Sequence, residues 1–262
     1  MTESCKGDSR GTLASAQALH YEMEHLLRRL AWTESLHEGE KERLIGLTSD
    51  VRSFAPQDEI VPADKPVNFS SVLLEGLACR EKILASGQRQ ITAFHLSGDF
   101  CDLHTYMLKT IPDSVKAITP CRVAMVAHNR LDAITSESSR IAHLLWKSTL
   151  IDAAIYRRWL ACIGRQSALS RLCHLFCEFY FRLRVIGLTD GLTCPFPATQ
   201  TDLADAMGLS LVHTNKTCAQ IKKQGLATLA NRVLTIHDWD RLREIAEFDP
   251  HYLHLEAPVK LA

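Results

Sequence analysis

Between Thr199 and Gly225 the chain carries polar residues at a spacing suited to the edges of DNA bases and the phosphates beside them. Thr199 is followed three residues later by Asp202, an approximate capping box with Asp in place of the usual Glu, which predicts a helix that stops at Gly208. Leu209 is the apolar residue that a tight turn buries, and Ser210 caps a second helix expected from Leu211 to Gln224, ended by Gly225. Two short helices joined through Gly-x-Ser make a helix-turn-helix. A major groove about 12 Å wide admits one such helix, held so that its first turns meet the bases. Leu211, Val212, His213, Asn215 and Lys216 occupy those turns. Asn and Lys can hydrogen-bond adenine and guanine edges, and an apolar side chain can touch a thymine methyl. Lys222, Lys223 and the exposed cap formed by Thr199 and Gln200 suit phosphates, which position a domain without reading sequence. Residues 226–229 and 233–236 are strand-like around the turn Ala230-Asn231-Arg232, a wing whose Arg232 would reach the backbone.

The charge pattern agrees. The chain has 30 basic and 30 acidic residues, yet no acid lies between Asp205 and Asp238, whereas Lys216, Lys222, Lys223 and Arg232 do. A polyanion fits that gap better than a merely solvated helical hairpin, the competing reading.

Positioning such a head takes a larger scaffold. At 262 residues with 46% apolar content the chain has the profile of a globular protein of two domains, which excludes disordered and fibrous classes. No run approaches the ~18 apolar residues of a membrane span, and residues 1–10 are polar, so a cytoplasmic protein with no membrane partner is expected. Nine cysteines without a C-x-x-C pair read as reduced thiols. Residues 1–19 are expected to be a polar tail, with helix from about Ala16. From Val51, short apolar runs at 59–62, 71–76, 90–96 and 122–126 alternate with turn residues, which predicts a small antiparallel barrel or roll. After Leu131 the helical period returns. Ile134, Ile141, Leu144, Leu145, Ser148, Ile151, Ile155 and Trp159 mark one helix of about 25 residues, whose stripe is expected to pair with its symmetry mate in a homodimer; packing on its own roll is the alternative. A further amphipathic helix is expected from Ser167 to Leu183.

This layout resembles the Crp/Fnr family of bacterial transcription regulators from about Leu26 to Phe248, most specifically over 199–226, where Gly208-Leu209-Ser210 and Asn215-Lys216 match the family's motif. The resemblance implies an α+β fold: an N-terminal antiparallel β-roll, cyclic-nucleotide-binding-like, then a long dimerisation helix and a C-terminal winged helix-turn-helix. The corresponding boundaries are a tail at 1–19, an effector domain at 20–137, the dimerisation helix at 138–163, the DNA-binding domain at 164–248 and a tail at 249–262. It implies double-stranded DNA and a second copy of the chain as partners, admits RNA polymerase as a third, and implies a palindromic operator and no catalysis. Where the family carries Thr-Arg to grip phosphate, this chain has Thr199-Gln200, and where its recognition helix often carries Arg and Glu, this chain has Leu211 and Val212.

Gly98-Asp99-Phe100 resembles the start of the family's phosphate-binding cassette, but the places of its Gly-Glu and Arg-Ser pairs read Asp102-Leu103 and Asp113-Ser114. Losing the Arg and adding an Asp predicts a degenerate pocket that does not respond to cyclic AMP. An iron–sulfur cluster lacks its clustered N-terminal cysteines, with only Cys5 before Cys79, and no cofactor or metal is expected. Cys173, His174 and Cys177 are read as packing residues, and Cys218, near Lys216, as the thiol with the most electropositive surroundings. The alternative from another class is a cupin-like metal-dependent enzyme using His95, His104 and Cys101, with the C-terminal region as accessory; the roll lacks the H-x-H spacing it needs.

Overall fold

The computed structural model describes residues 23–254. Two helices, α1 (23–33) and α2 (Glu38–Ile45), lead into seven strands: β1 (Thr48–Phe54), β2 (Glu59–Val61), β3 (Phe69–Glu75), β4 (Ala78–Ile83), β5 (Arg89–His95), β6 (Ser114–Ala117) and β7 (Cys121–Ala127). A single-turn helix α3 (Thr105–Leu108) lies between β5 and β6. The strands form two antiparallel sheets, ordered β1-β7-β3 and β2-β6-β4-β5. Val61, Leu73, Ala78, Val115, Val123 and Met125 fill a core of this roll. Gly76 turns β3 into β4 at φ +101°, where a Cβ would stand 2.4 Å from the Pro120 carbonyl oxygen, so only glycine fits.

Helix α4 (His128–Glu137) ends at Ser138, whose side chain accepts from the Ile141 amide and starts α5 (Ser139–Arg165). Ile134 therefore belongs to α4 and not to the long helix. Helix α6 (Ala168–Val185) begins at the Ser167 cap. The C-terminal head comprises α7 (Gln200–Met207), α8 (Leu211–Lys223), the sheet of β8 (Thr193–Pro195), β10 (Val233–Ile236) and β9 (Ala227–Ala230), and α9 (Trp239–Ala246). The segment between α6 and α7 thus supplies a third strand to the wing sheet.

One apolar core runs without a break from Leu77, Ile91 and Phe94 of the roll, through Ile151, Ile155 and Trp159 of α5, to Leu203, Ile221, Leu234 and Leu242 of the head. This corrects the stripe expected to form the dimer seam. Ile141, Leu144, Leu145, Ser148, Ile151, Ile155 and Trp159 are all buried within their own chain, because the roll, α1 and α6 pack on that side of α5. The face left to solvent carries Trp146, Leu150 and Leu160, exposed by 64%, 53% and 72%. The expected tail at 249–262 is corrected in part: Pro250–Leu253 form a 3-10 turn, with Leu253 buried and the Tyr252 hydroxyl 2.7 Å from Glu178 Oε2. The expected N-terminal tail and the helix start near Ala16 lie outside the described residues.

Candidate nucleic-acid interface

The capping box at the start of α7 forms as the spacing predicts. Thr199 Oγ1 accepts from the Asp202 amide at 3.1 Å, and Asp202 Oδ2 takes the Thr199 amide at 2.8 Å. Gly208 closes α7 at φ +62°, in the left-handed region, and Ser210 accepts from the His213 amide to start α8. Thr214, Thr217 and Ile221 anchor α8 to the core, which rotates Ser210, Leu211, Val212, His213, Asn215 and Lys216 outward. Lys222 and Lys223 close the helix on its exposed side; Thr199, Gln200 and Arg232 are exposed as well. Asn231 and Arg232 both adopt positive φ, 52° and 60°, the geometry of a two-residue hairpin turn matched to strand twist. All eleven residues expected to meet DNA are therefore accessible, on a head whose only buried carboxylate on α7 is Asp202. The Thr199 hydroxyl also donates to Asp202 Oδ2 at 2.7 Å, so its first duty is to the helix cap.

Sequence reasoning missed what holds this head to the roll. Arg89, on β5, places Nη2 2.6 Å from Asp202 Oδ1 and Nε 2.6 Å from Asp205 Oδ2. Gln90 Nε2 reaches the Ala206 carbonyl at 3.3 Å. An arginine whose carboxylate partners lie 113 and 116 residues away leaves no periodic signal in the chain.

The turn expected to form a degenerate effector pocket is buried from Gly98 through Leu103. Gly98, at φ +86°, has no room for a Cβ, which would lie 2.6 Å from the His25 backbone. Asp99 is ion-paired with Arg29 of α1 and Arg182 of α6 and accepts the Leu96 amide. Phe100 and Leu103 join an apolar core. Asp102 takes the Ser71 amide at 2.6 Å and the Thr105 hydroxyl at 3.2 Å, and burial lifts its carboxyl to about 7, partly offset by the Ser71 amide. Asp113 and Ser114 have other neighbours. Asp113 lies 3.5 Å from Lys82 Nζ, and Ser114 pairs across the sheet with Glu81.

The proposed ligands of the enzyme reading fare differently. His95 is buried and held neutral by burial and by the charges of Arg80, Arg182 and Arg29; burial and Arg80 lower His104 to about 4; burial raises the Cys101 thiol. Among the described residues no cluster of three or more His, Cys, Asp or Glu is arranged to hold a metal ion. Cys173, His174 and Cys177 are buried in the core of α6, as packing residues would be. The expectation for Cys218 is corrected: burial pushes its thiol pKa up, so the nearby lysine charge does not activate it. No helix among the described residues is long and apolar enough to cross a membrane.

Two family models match the chain, the cyclic nucleotide-binding domain over residues 51–138 and the Crp-like helix-turn-helix domain over residues 170–245. The nitrogen fixation regulation protein FixK of Bradyrhizobium diazoefficiens is 24% identical over 229 residues, 87% of this chain and 94% of its own. The transcriptional activator protein FnrL of Cereibacter sphaeroides is 22% identical over 202 residues, covering 76% and 81%. The solved structure of FixK2 from Bradyrhizobium japonicum shares the fold at a TM-score of 0.68 and 24% identity, over 75% of this chain and 96% of that one. These relatives are regulators and not enzymes, which leaves the cupin-like reading without support.

Proposed function

The chain belongs to the Crp/Fnr family of transcription regulators, with a winged helix-turn-helix that binds DNA, and we propose that it acts as a homodimer on a two-fold operator without cyclic AMP. The observation that carries the reading is the outward set Leu211, Val212, His213, Asn215 and Lys216 on a capped, core-anchored helix. In this reading those five side chains and Ser210 face base edges, while Thr199, Gln200, Lys222, Lys223 and Arg232 position the head on phosphates.

The dimer is proposed through the open face of α5. Trp146, Leu150, Ala153, Arg157, Leu160 and Gly164 follow one another at alternating steps of four and three, the 3.5-residue repeat of a coiled-coil seam. Independence from cyclic AMP is supported by the occupation of Asp99 and Asp102 with internal partners and by the acidic Asp113 where the family has a basic residue. The protein is proposed to work in the cytoplasm; contact with RNA polymerase would serve activation.

Selection of bound fragments from a random duplex pool tests the proposal. The expected product is a palindrome with half-site centres about one helical turn, roughly 34 Å, apart. Enrichment of a single asymmetric site would overturn the two-fold reading, and no enrichment would overturn sequence-specific binding.

A further inference from the structure

The buried turn 98–103 is held by residues of several elements, and one of them is an arginine inside the roll. Arg80 of β4 is 8% exposed. Its Nη1 donates to the Tyr156 hydroxyl of α5 at 2.6 Å, its Nη2 to the Cys101 carbonyl, and the guanidinium carbon lies 5.5 Å from the Tyr156 ring centroid. Its Nε is buried without a partner, as is His95 Nε2. Both hydrogen-bond acceptors of this guanidinium are neutral, and the buried carboxyls of Asp102 and Asp152 act on it only through space, so the desolvation cost is only partly returned. What such an arrangement supplies is fixed geometry, because the planar fork holds both acceptors at once.

The link continues beyond Tyr156. One helical turn on, Trp159 Nε1 donates to the Glu178 carboxylate of α6 at 3.1 and 3.2 Å. Glu178 lies 3.5 Å from Arg182 Nη1, and Arg182 pairs with Asp99, two residues from Cys101. The backbone of α5 joins these two sets of polar contacts, the second leads back to the turn through α6, and α6 enters the core of the DNA-binding head.

We infer that Arg80 is a positioning residue that ties the 98–103 turn to α5 and thereby holds the DNA-binding head in place. This rests on the DNA-binding reading above. The roll carries its own cationic cross-link, and the head keeps its DNA-competent placement without a small molecule.

The test uses the full-length protein and the operator recovered by selection. Arg80→Ala and Tyr156→Phe are compared with the wild type by fluorescence anisotropy, well below each melting temperature, with circular dichroism as the folding control. The expected result is a loss of operator affinity of tenfold or more in Arg80→Ala, a smaller loss in Tyr156→Phe, and saturable recovery of Arg80→Ala by methylguanidinium, which fits the space the side chain vacates. A general packing defect would lower the melting temperature without that recovery. A folded Arg80→Ala with wild-type affinity, or with a loss that methylguanidinium leaves unchanged, would overturn the inference. If Arg80→Ala does not fold, Tyr156→Phe decides alone: reduced affinity supports the cross-link and unchanged affinity removes it. Calorimetric binding of cyclic AMP to the wild type would also overturn it, as the site would then be open to a ligand. Failure of the wild type to select any DNA would sink the functional reading instead, a distinguishable outcome.

Discussion

Arg89 Nη2 and Asp202 Oδ1 stand 2.6 Å apart, joining a strand of the roll to the first helix of the DNA-binding head. Asp202 is at the same time the carboxylate of the capping box, so the contact that orients α7 also completes its N-terminus. Asp205 accepts from Arg89 Nε, and Glu81 lies 3.6 Å from Nη1, so one guanidinium gathers three carboxylates. Arg89→Ala should therefore lower stability by about 1–3 kcal/mol, below the cost of breaking a fully buried pair because the side chain keeps 20% of its surface. Arg89→Ala and Asp202→Asn combined should cost less than the sum of the two. A double-mutant cycle by urea unfolding measures this, and strict additivity would remove the coupling.

The seam on α5 is tested by the side chains left outside. Trp146→Glu with Leu150→Glu should give a folded monomer by light scattering, since both residues are more than half exposed. Leu145→Asp with Ile151→Asp should unfold the protein, because each buries a charge in the chain's own core; those residues are 5% and 7% exposed. A Trp146 and Leu150 variant that kept the dimeric mass would place the interface elsewhere.

How much of this was legible in the sequence follows from the range of the interactions concerned. Caps act within three residues, so Thr199 with Asp202 and Ser210 with His213 could be read directly, and with them the helix-turn-helix and its exposed residues. The period of α5 revealed a long helix with an apolar stripe but not what covers the stripe. Any amphipathic helix between two domains has a face for its own chain, and the more hydrophobic one went there. The seam proposed on the open face is masked by its composition, an Ala, an Arg and a Gly among Trp146, Leu150 and Leu160. Arg80, Arg89, Arg29 and Arg182 escaped for another reason. Each meets a partner remote in sequence, and a single arginine in a strand or a helix gives no sign of whether it faces water or the interior.

Asp102 predicts a pH dependence. Burial lifts its folded-state carboxyl to about 7 from an ordinary value of 3.8, against the opposing pull of Ser71, Thr105 and Arg80. Between those values the unfolded chain loses the proton while the folded one keeps it, so the stability this group contributes is complete below about 4 and is lost as pH rises through about 7. His104, lowered to about 4 chiefly by burial and then by Arg80, acts in the opposite sense, its contribution falling as pH drops below its ordinary value of 6.5. Asp102→Asn isolates the first effect. The variant should gain on the wild type as pH rises from about 4.5 to about 7.5, measured by urea midpoints. A difference that stays constant with pH would show that Asp102 is ionised throughout.

Val212 is 64% exposed and Leu211 46% exposed on the first turn of α8, an unfavourable place for apolar side chains unless something covers them. In a major groove the apolar feature available is the C5-methyl of thymine, which deoxyuridine lacks and 5-methylcytosine shares. Replacing the thymine facing Val212 by deoxyuridine should weaken binding about fourfold, the equivalent of about 0.8 kcal/mol for one buried methyl-sized group. Val212→Ala should bind both operators alike. Lys222→Ala should weaken both by the same factor and keep the difference, because a phosphate contact carries no base information. Anisotropy at one fixed salt concentration measures all four combinations. If the wild type bound the deoxyuridine operator as tightly as the thymine one, Val212 would not be reading that methyl, whatever else the helix contacts.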